Sequence, residues 1–109
     1  MARDRFHDLP RRRIVDFLVP VATKRRSRLL GLAWLSRERA GVGLLIPRCA
    51  SVHTFGMCFP LDLYFLDQEG TVLAVRLRVS PRRLVWCRGA GAVLEVPSPP
   101  GGESAAAAA

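Results

Sequence analysis

Apolar residues occur in short runs separated by turn-forming residues, a pattern typical of a protein built mostly of strands. A longer stretch, residues 71–79, alternates strictly, which predicts a strand with one wet face and with Leu73, Val75, Leu77 and Val79 toward the core. Five apolar runs predict the other strands, at residues 14–21, 44–46, 52–57, 61–66 and 92–96.

A single helix is predicted from residue 24 to about residue 35, because Leu29, Leu32 and Ala33 fall at helical spacing. The segment 67–70, Asp-Gln-Glu-Gly, predicts a hairpin turn with glycine available for a positive φ. We therefore expect an α+β, mainly β domain. Its small, mostly antiparallel sheet should be curled or barrel-like, with one helix from the N-terminal half of the chain packed on it.

The chain of 109 residues is expected to form one globular domain at residues 13–97. Residues 1–12 are charged and predict a basic flexible arm, whereas residues 98–109 are rich in Pro, Gly and Ala and predict a disordered tail.

The net charge of +8 is uneven, since residues 1–39 hold 11 basic and 4 acidic side chains. Lys24 is the only lysine, and such an arginine bias fits a GC-rich genome as well as it fits a basic surface. A surface of this kind would meet phosphates, anionic lipid or an acidic partner. Sequence-specific nucleic-acid binding is not expected, because basic and aromatic residues do not interleave. The candidate basic patch comprises Arg11, Arg12, Arg13, Arg25, Arg26 and Arg28.

Three cysteines, at positions 49, 58 and 87, lack a pairing motif and favour a reducing compartment, so we expect a cytoplasmic protein. Without a CxxC motif, and with only two histidines far apart, neither a metal site nor a cofactor is expected. No apolar run reaches the roughly 18 residues of a membrane span.

The most informative stretch is residues 51–67, in which polar residues interrupt apolar strands. Such groups need partners, so His53, Thr54 and Asp62 predict either a satisfied structural network or a site. If the two strands pair, His53 and Asp62 could approach each other, and the carboxylate would fix the imidazole tautomer. Glu95 lies in an apolar strand, where a cross-strand arginine partner is expected.

The same stretch resembles the Domain of Unknown Function 192 family of bacteria and archaea. The resemblance rests on residues 28–32 and 43–46, the block 51–57, residues 60–62 and 65–67, and residues 70–73, 89–90 and 93–97. It implies a compact, barrel-like sheet with a helix on it, and it implies no reaction or ligand. The residues that correspond to the family signature are His53, Thr54, Met57, Pro60, Asp62 and Glu95.

Two departures from the family pattern bear on the site. Cys58 stands where many similar members have an arginine, which weakens any anion binding there. Longer members continue past the last strand with a helix and a closing strand, whereas here the segment 98–102 follows. Whether the sheet closes is therefore an open question for the structure.

We consider three functions. The first is binding of a small polar ligand or a protein partner at a pocket whose candidate residues are His53, Thr54, Met57, Asp62 and Glu95. The second is an interaction module of a membrane-associated assembly, docked through the arginine-rich N-terminal region. The third is hydrolysis or group transfer with His53 as general base, so the sequence leaves enzymatic activity undecided.

Overall fold

The computed structural model describes residue 6 and residues 8–100, which form eight strands and two short helices. All strand pairings among the named strands are antiparallel, so the prediction of a mainly β, antiparallel domain is confirmed. The elements in chain order are β1 (Arg11–Ile14), β2 (Phe17–Pro20), α1 (Arg25–Leu30), α2 (Arg37–Ala40), β3 (Leu44–Pro47), β4 (Ser51–His53), β5 (Leu61–Leu66), β6 (Val72–Val79), β7 (Leu84–Trp86) and β8 (Ala92–Pro97).

The main sheet has four strands in the order β3-β8-β5-β6, and the pairs β1–β2 and β4–β7 form two further small sheets. The expected barrel-like shape is wrong, because the strands form three separate sheets that do not close into a barrel. The β4–β7 sheet packs into the core cluster on one side of the main sheet and the β1–β2 sheet into the cluster on the other, which buries both faces of its interior strands.

Strand β5 is buried along its whole length because each of its faces is covered. Leu61, Leu63 and Phe65 point into one core cluster, together with Val52 of β4 and the buried residues that follow α1. Tyr64 and Leu66 point to the opposite face, into a second cluster that includes residues of β1 and β2. Side chains alternate between faces along a strand, so the main sheet separates these two environments.

Two predicted elements differ from the structure. The strand expected at residues 14–21 is a hairpin of β1 and β2 that turns at Val15 and Asp16. Its turn places Val15 at φ +55°, a conformation that β-branched residues rarely adopt, so no residue of this segment marks a turn. The helix expected from residue 24 to about residue 35 ends at Leu30, with Gly31 and Trp34 at positive φ beyond it. A second short helix, α2, follows at residues that were not expected to be helical.

The expected core face of β6 is wrong. Leu73, Val75 and Leu77 are exposed, whereas Ala74 and Val79 pack against the core. Strand β6 pairs only with β5 within the main sheet, and register irregularities interrupt that pairing. Its alternating pattern therefore belongs to an edge strand, both faces of which are largely accessible.

The turn between β5 and β6 forms as predicted, with Asp67 accepting hydrogen bonds from the backbone N–H groups of Glu69 and Thr71. Much of the predicted arm and tail, residues 1–5, 7 and 101–109, lies outside the described residues. Within the described part, Phe6 and Leu9 are buried in the core and Arg11–Ile14 form β1, so packed structure extends into the segment expected to be an arm.

Candidate functional site

A buried carboxyl group lies at the centre of the candidate site. Glu95 of β8 shares its face with Val93, in the first core environment, and is only 3% exposed. Its side chain accepts a hydrogen bond from the backbone N–H of Leu32, and no described residue hydrogen-bonds its Oε1 atom. Burial raises the pKa of Glu95 from 4.5 to about 7, although the Leu32 hydrogen bond opposes the rise.

The residue after α1 makes room for this carboxyl group. Gly31 ends α1 at φ +53°, and its N–H donates to the Ser27 carbonyl at 2.9 Å. A Cβ atom at Gly31 would lie 2.7 Å from Oε1 of Glu95. Glycine is therefore required at this position both by the backbone conformation and by the close approach of Glu95.

Glu95 lines a cleft of about 170 Å³ between the end of α1, strand β3 and the β4–β7 sheet. Leu30, Ile46, Val52 and Leu84 form the apolar part of its wall. The polar residues of the wall are Arg28, Cys49, Ser51, His53 and Glu95. One protonatable carboxyl group, one imidazole and one guanidinium group thus share a small, mostly apolar space.

His53 and Arg28 occupy different sides of this cleft. His53 lies opposite Leu84 in the β4–β7 register, on the exposed face of that sheet, and its ring centroid is 6.0 Å from that of Phe55. The guanidinium group of Arg28 donates to the carbonyl oxygen of Pro47 and, at 3.2 Å, to that of Arg48. These bonds anchor Arg28 to the end of β3 while its side chain still lines the cleft.

The expected site formed by His53 and Asp62 is wrong. Strand β4 pairs with β7, not with β5, and Asp62 lies opposite Val96 on the second face of the main sheet. There its Oδ1 accepts hydrogen bonds from the Arg78 N–H at 2.9 Å and the Ser98 hydroxyl at 2.7 Å. Asp62 therefore joins three segments of backbone, and the main sheet stands between it and the cleft.

Thr54 and Met57, also predicted as ligand contacts, do not line the cleft. Thr54 is fully buried, and its hydroxyl donates to the Ser80 carbonyl at 2.7 Å and accepts from the Arg83 N–H at 2.8 Å. Met57 belongs to the first core cluster. Thr54 thus ties the end of β4 to the β6–β7 connection, which holds the His53 strand in place.

The arginine expected to pair with Glu95 is absent from its two cross-strand positions, which Leu44 and Leu63 occupy. The candidate basic patch is also divided. Exposed arginines 11–13 lie on β1, which packs over the second face of the main sheet, whereas Arg28 lines a cleft on the first face. Arg25 is exposed on α1, and the side chain of Arg26 lies outside the described residues.

The described residues contain no group of three or more His, Cys, Asp or Glu side chains placed to hold a metal ion. Neither of the helices that the structure describes has the length and apolar character that a membrane span requires.

The sequence did not indicate that Gly31, Cys49 and Ser51 line the cleft, and Arg28 was expected in a surface patch. A signal existed for Gly31 alone, because a glycine after a helical segment marks its end. Nothing in the local pattern indicates that Gly31 would meet Glu95, which lies 64 residues further along the chain.

The sequence profile of the Domain of Unknown Function 192 family, described as "Uncharacterized ACR", matches residues 9–103. The chain therefore belongs to this family, as the block at residues 51–57 indicated. No curated protein matches the chain significantly.

Two solved structures have a similar fold. One is a protein of unknown function from Novosphingobium aromaticivorans DSM 12444, with a TM-score of 0.60 and 22% identity over 74% of this chain and 63% of that chain. The other, from Sinorhizobium meliloti 1021, is provisionally named a transcription regulator; its TM-score is 0.65 and its identity 22%, over 73% of this chain and 67% of that chain. This chain thus spans less than two thirds of the first neighbour, and the likeness establishes the fold alone.

Proposed function

We propose that this domain binds a small polar ligand in the cleft lined by His53 and Glu95. The observation that supports the proposal is Glu95, which lines the cleft and whose buried Oε1 atom has no described hydrogen-bond partner. A buried polar atom without a partner costs about 1–3 kcal/mol, and a ligand that hydrogen-bonds it would recover much of that cost.

The dimensions of the cleft restrict the ligand. A cavity of about 150 Å³ holds a benzene molecule, so a cleft of about 170 Å³ suits a ligand of similar size. Apolar walls with a few convergent polar groups are typical of small-molecule sites. The apolar part of the ligand would contact Leu30, Ile46 and Val52, and its polar end would face Glu95.

A thermal-shift screen of small polar compounds tests the proposal, because a ligand that binds only the folded state raises the melting temperature. We expect the shift produced by a hit to fall in the His53→Ala and Glu95→Leu variants. It should persist in Arg76→Ala, a matched control on the exposed edge strand β6. A library without any hit, or hits that are equally strong in all variants, would contradict binding at this cleft.

A second candidate is docking to an anionic surface through Arg11, Arg12 and Arg13, three consecutive exposed residues of β1. Replacing all three with glutamine should release the protein from phosphatidylserine vesicles at low salt, whereas phosphatidylcholine vesicles should not bind either protein. Equal vesicle binding by the variant and the parent protein would exclude this surface.

The hydrolase hypothesis is weaker than either, because the carboxylate expected to orient His53 lies on the other side of the main sheet.

A further inference from the structure

We infer that the ligand of this cleft is a small carboxylate, to which the carboxyl group of Glu95 donates a hydrogen bond and Arg28 supplies positive charge. This inference rests on the proposed ligand-binding function and adds the chemical class of the ligand.

The hydrogen-bonding inventory of the cleft is the first reason. The backbone carbonyl groups of Pro47 and Arg48 already accept from Arg28, and the carbonyl group of Ser51 accepts from the Cys49 thiol at 2.9 Å. These acceptors beside the cleft are therefore engaged by the cleft's own donors. A ligand is best matched if it brings acceptors for the carboxyl proton of Glu95 and for the guanidinium group, which has five N–H donors.

The charges around the cleft are the second reason. The ionisable groups that face it are Arg28 from α1, Cys49 from the β3–β4 connection, His53 from β4 and Glu95 from β8. Glu95 is the single carboxyl group among these described lining residues, and it is uncharged when protonated. An ammonium ligand would meet the permanent charge of Arg28, whereas a carboxylate would be attracted by it, and carboxylate–guanidinium bonds are among the strong ones.

The third reason concerns Glu95 itself. Its carboxyl group is buried and holds its proton more tightly than an ordinary glutamate, with a pKa raised by burial to about 7. A proton on the carboxyl group turns Glu95, a residue of the cleft wall, into a hydrogen-bond donor. A bound carboxylate would favour that protonated form, so binding and protonation are coupled.

This coupling gives the ligand class a pH signature. With a pKa of about 7, the protonated fraction of Glu95 falls about tenfold between pH 6 and pH 8. Carboxylate affinity should fall by about the same factor over this range, whereas amine affinity should rise. His53 also lines the cleft and carries an ionisable imidazole, so the slope is also measured in His53→Ala.

The experiment uses the full chain and probes of matched size: benzoate, benzyl alcohol and benzylamine, with butyrate, butanol and butylamine as an aliphatic set. Binding is measured by calorimetry at pH 6, 7 and 8 in the parent protein, His53→Ala, Glu95→Gln and Glu95→Leu. We expect the carboxylates to bind and to weaken about tenfold from pH 6 to pH 8. Glu95→Gln should retain binding without this loss, because an amide donates at every pH, and Glu95→Leu should lose it.

Preferential binding of the amines or alcohols, or carboxylate binding with the same pH slope in the parent protein and Glu95→Gln, would overturn the assignment of a carboxylate but leave ligand binding intact. Failure of every probe, together with a screen without hits, would overturn both proposals.

Discussion

The buried carboxyl group of Glu95 should make the stability of this domain depend on pH in an unusual direction. In the unfolded chain its pKa is near 4.5, and in the folded protein it is about 7. Between these values the folded state binds the additional proton, so the stabilising effect is complete below pH 4.5 and is lost as the pH rises through 7. Carboxylates that are ion-paired or hydrogen-bonded in the folded state act in the opposite direction.

The magnitude follows from the rise in pKa. A change from 4.5 to about 7 corresponds to about 3 kcal/mol at 1.36 kcal/mol per pH unit, a large part of the stability of a small domain. For a domain of this size, this loss of stability at high pH lowers the melting temperature by more than about 10 °C.

Urea unfolding between pH 4.5 and pH 8.5, followed by tryptophan fluorescence, measures this effect. Glu95→Gln removes the titrating group at nearly constant shape. As the pH rises from 4.5 to 8.5, the free energy of unfolding should therefore fall by about 3 kcal/mol more in the parent protein than in this variant. Glu38→Gln makes the same chemical change at an exposed position of α2 and should behave like the parent protein. The same slope for Glu95→Gln and the parent protein would mean that the pKa of Glu95 is ordinary, which would refute this prediction.

Three further substitutions, each followed by urea unfolding, test one contact beside the cleft and two hydrogen-bonded positions elsewhere in the fold. Gly31→Ala should lower the free energy of unfolding by more than about 2 kcal/mol, because the residue has a positive φ and its Cβ would approach Glu95. Gly70→Ala should lower it by less, because Gly70 has a φ of +88° but open space where the Cβ would lie. Thr54→Val should cost about 1–3 kcal/mol and Thr54→Ser less, since serine keeps the hydroxyl; equal losses would refute the hydrogen-bond argument. Ser98→Ala should cost about 1–3 kcal/mol through its lost bond to a buried carboxylate, and an unchanged midpoint would refute this.

The local parts of the fold could be predicted from the sequence. The apolar run 61–66 became β5 with the same bounds, and the turn at 67–70 formed because Asp67 binds the backbone beyond it. The hairpin at Val15 was not predictable, since a valine at positive φ contradicts its own preference. Val15 itself is exposed, whereas Ile14 and Val19 of the two strands are buried in the second core cluster.

The candidate site could be predicted only in part. A polar residue inside an apolar strand correctly marked Glu95 as unusual, and His53 was marked in the same way. The residues that surround them in space could not be deduced, because β4 pairs with β7 and not with β5, the next strand in the chain. Side chains alternate between the two faces of β5, so Asp62 faces away from the cleft whereas its neighbours Leu61 and Leu63 face the first core cluster. The sequence does not show which of the two faces meets which cluster.

The position of β8 has a consequence for how the protein is made. This strand is the last of the eight described strands in chain order, yet it occupies the interior of the main sheet, between β3 and β5. In a ribosome-bound nascent chain in which β8 has not yet been synthesised, β3 and β5 therefore have unpaired edges. Since such long-range pairings slow folding, the domain should complete its sheet only after synthesis has passed residue 97.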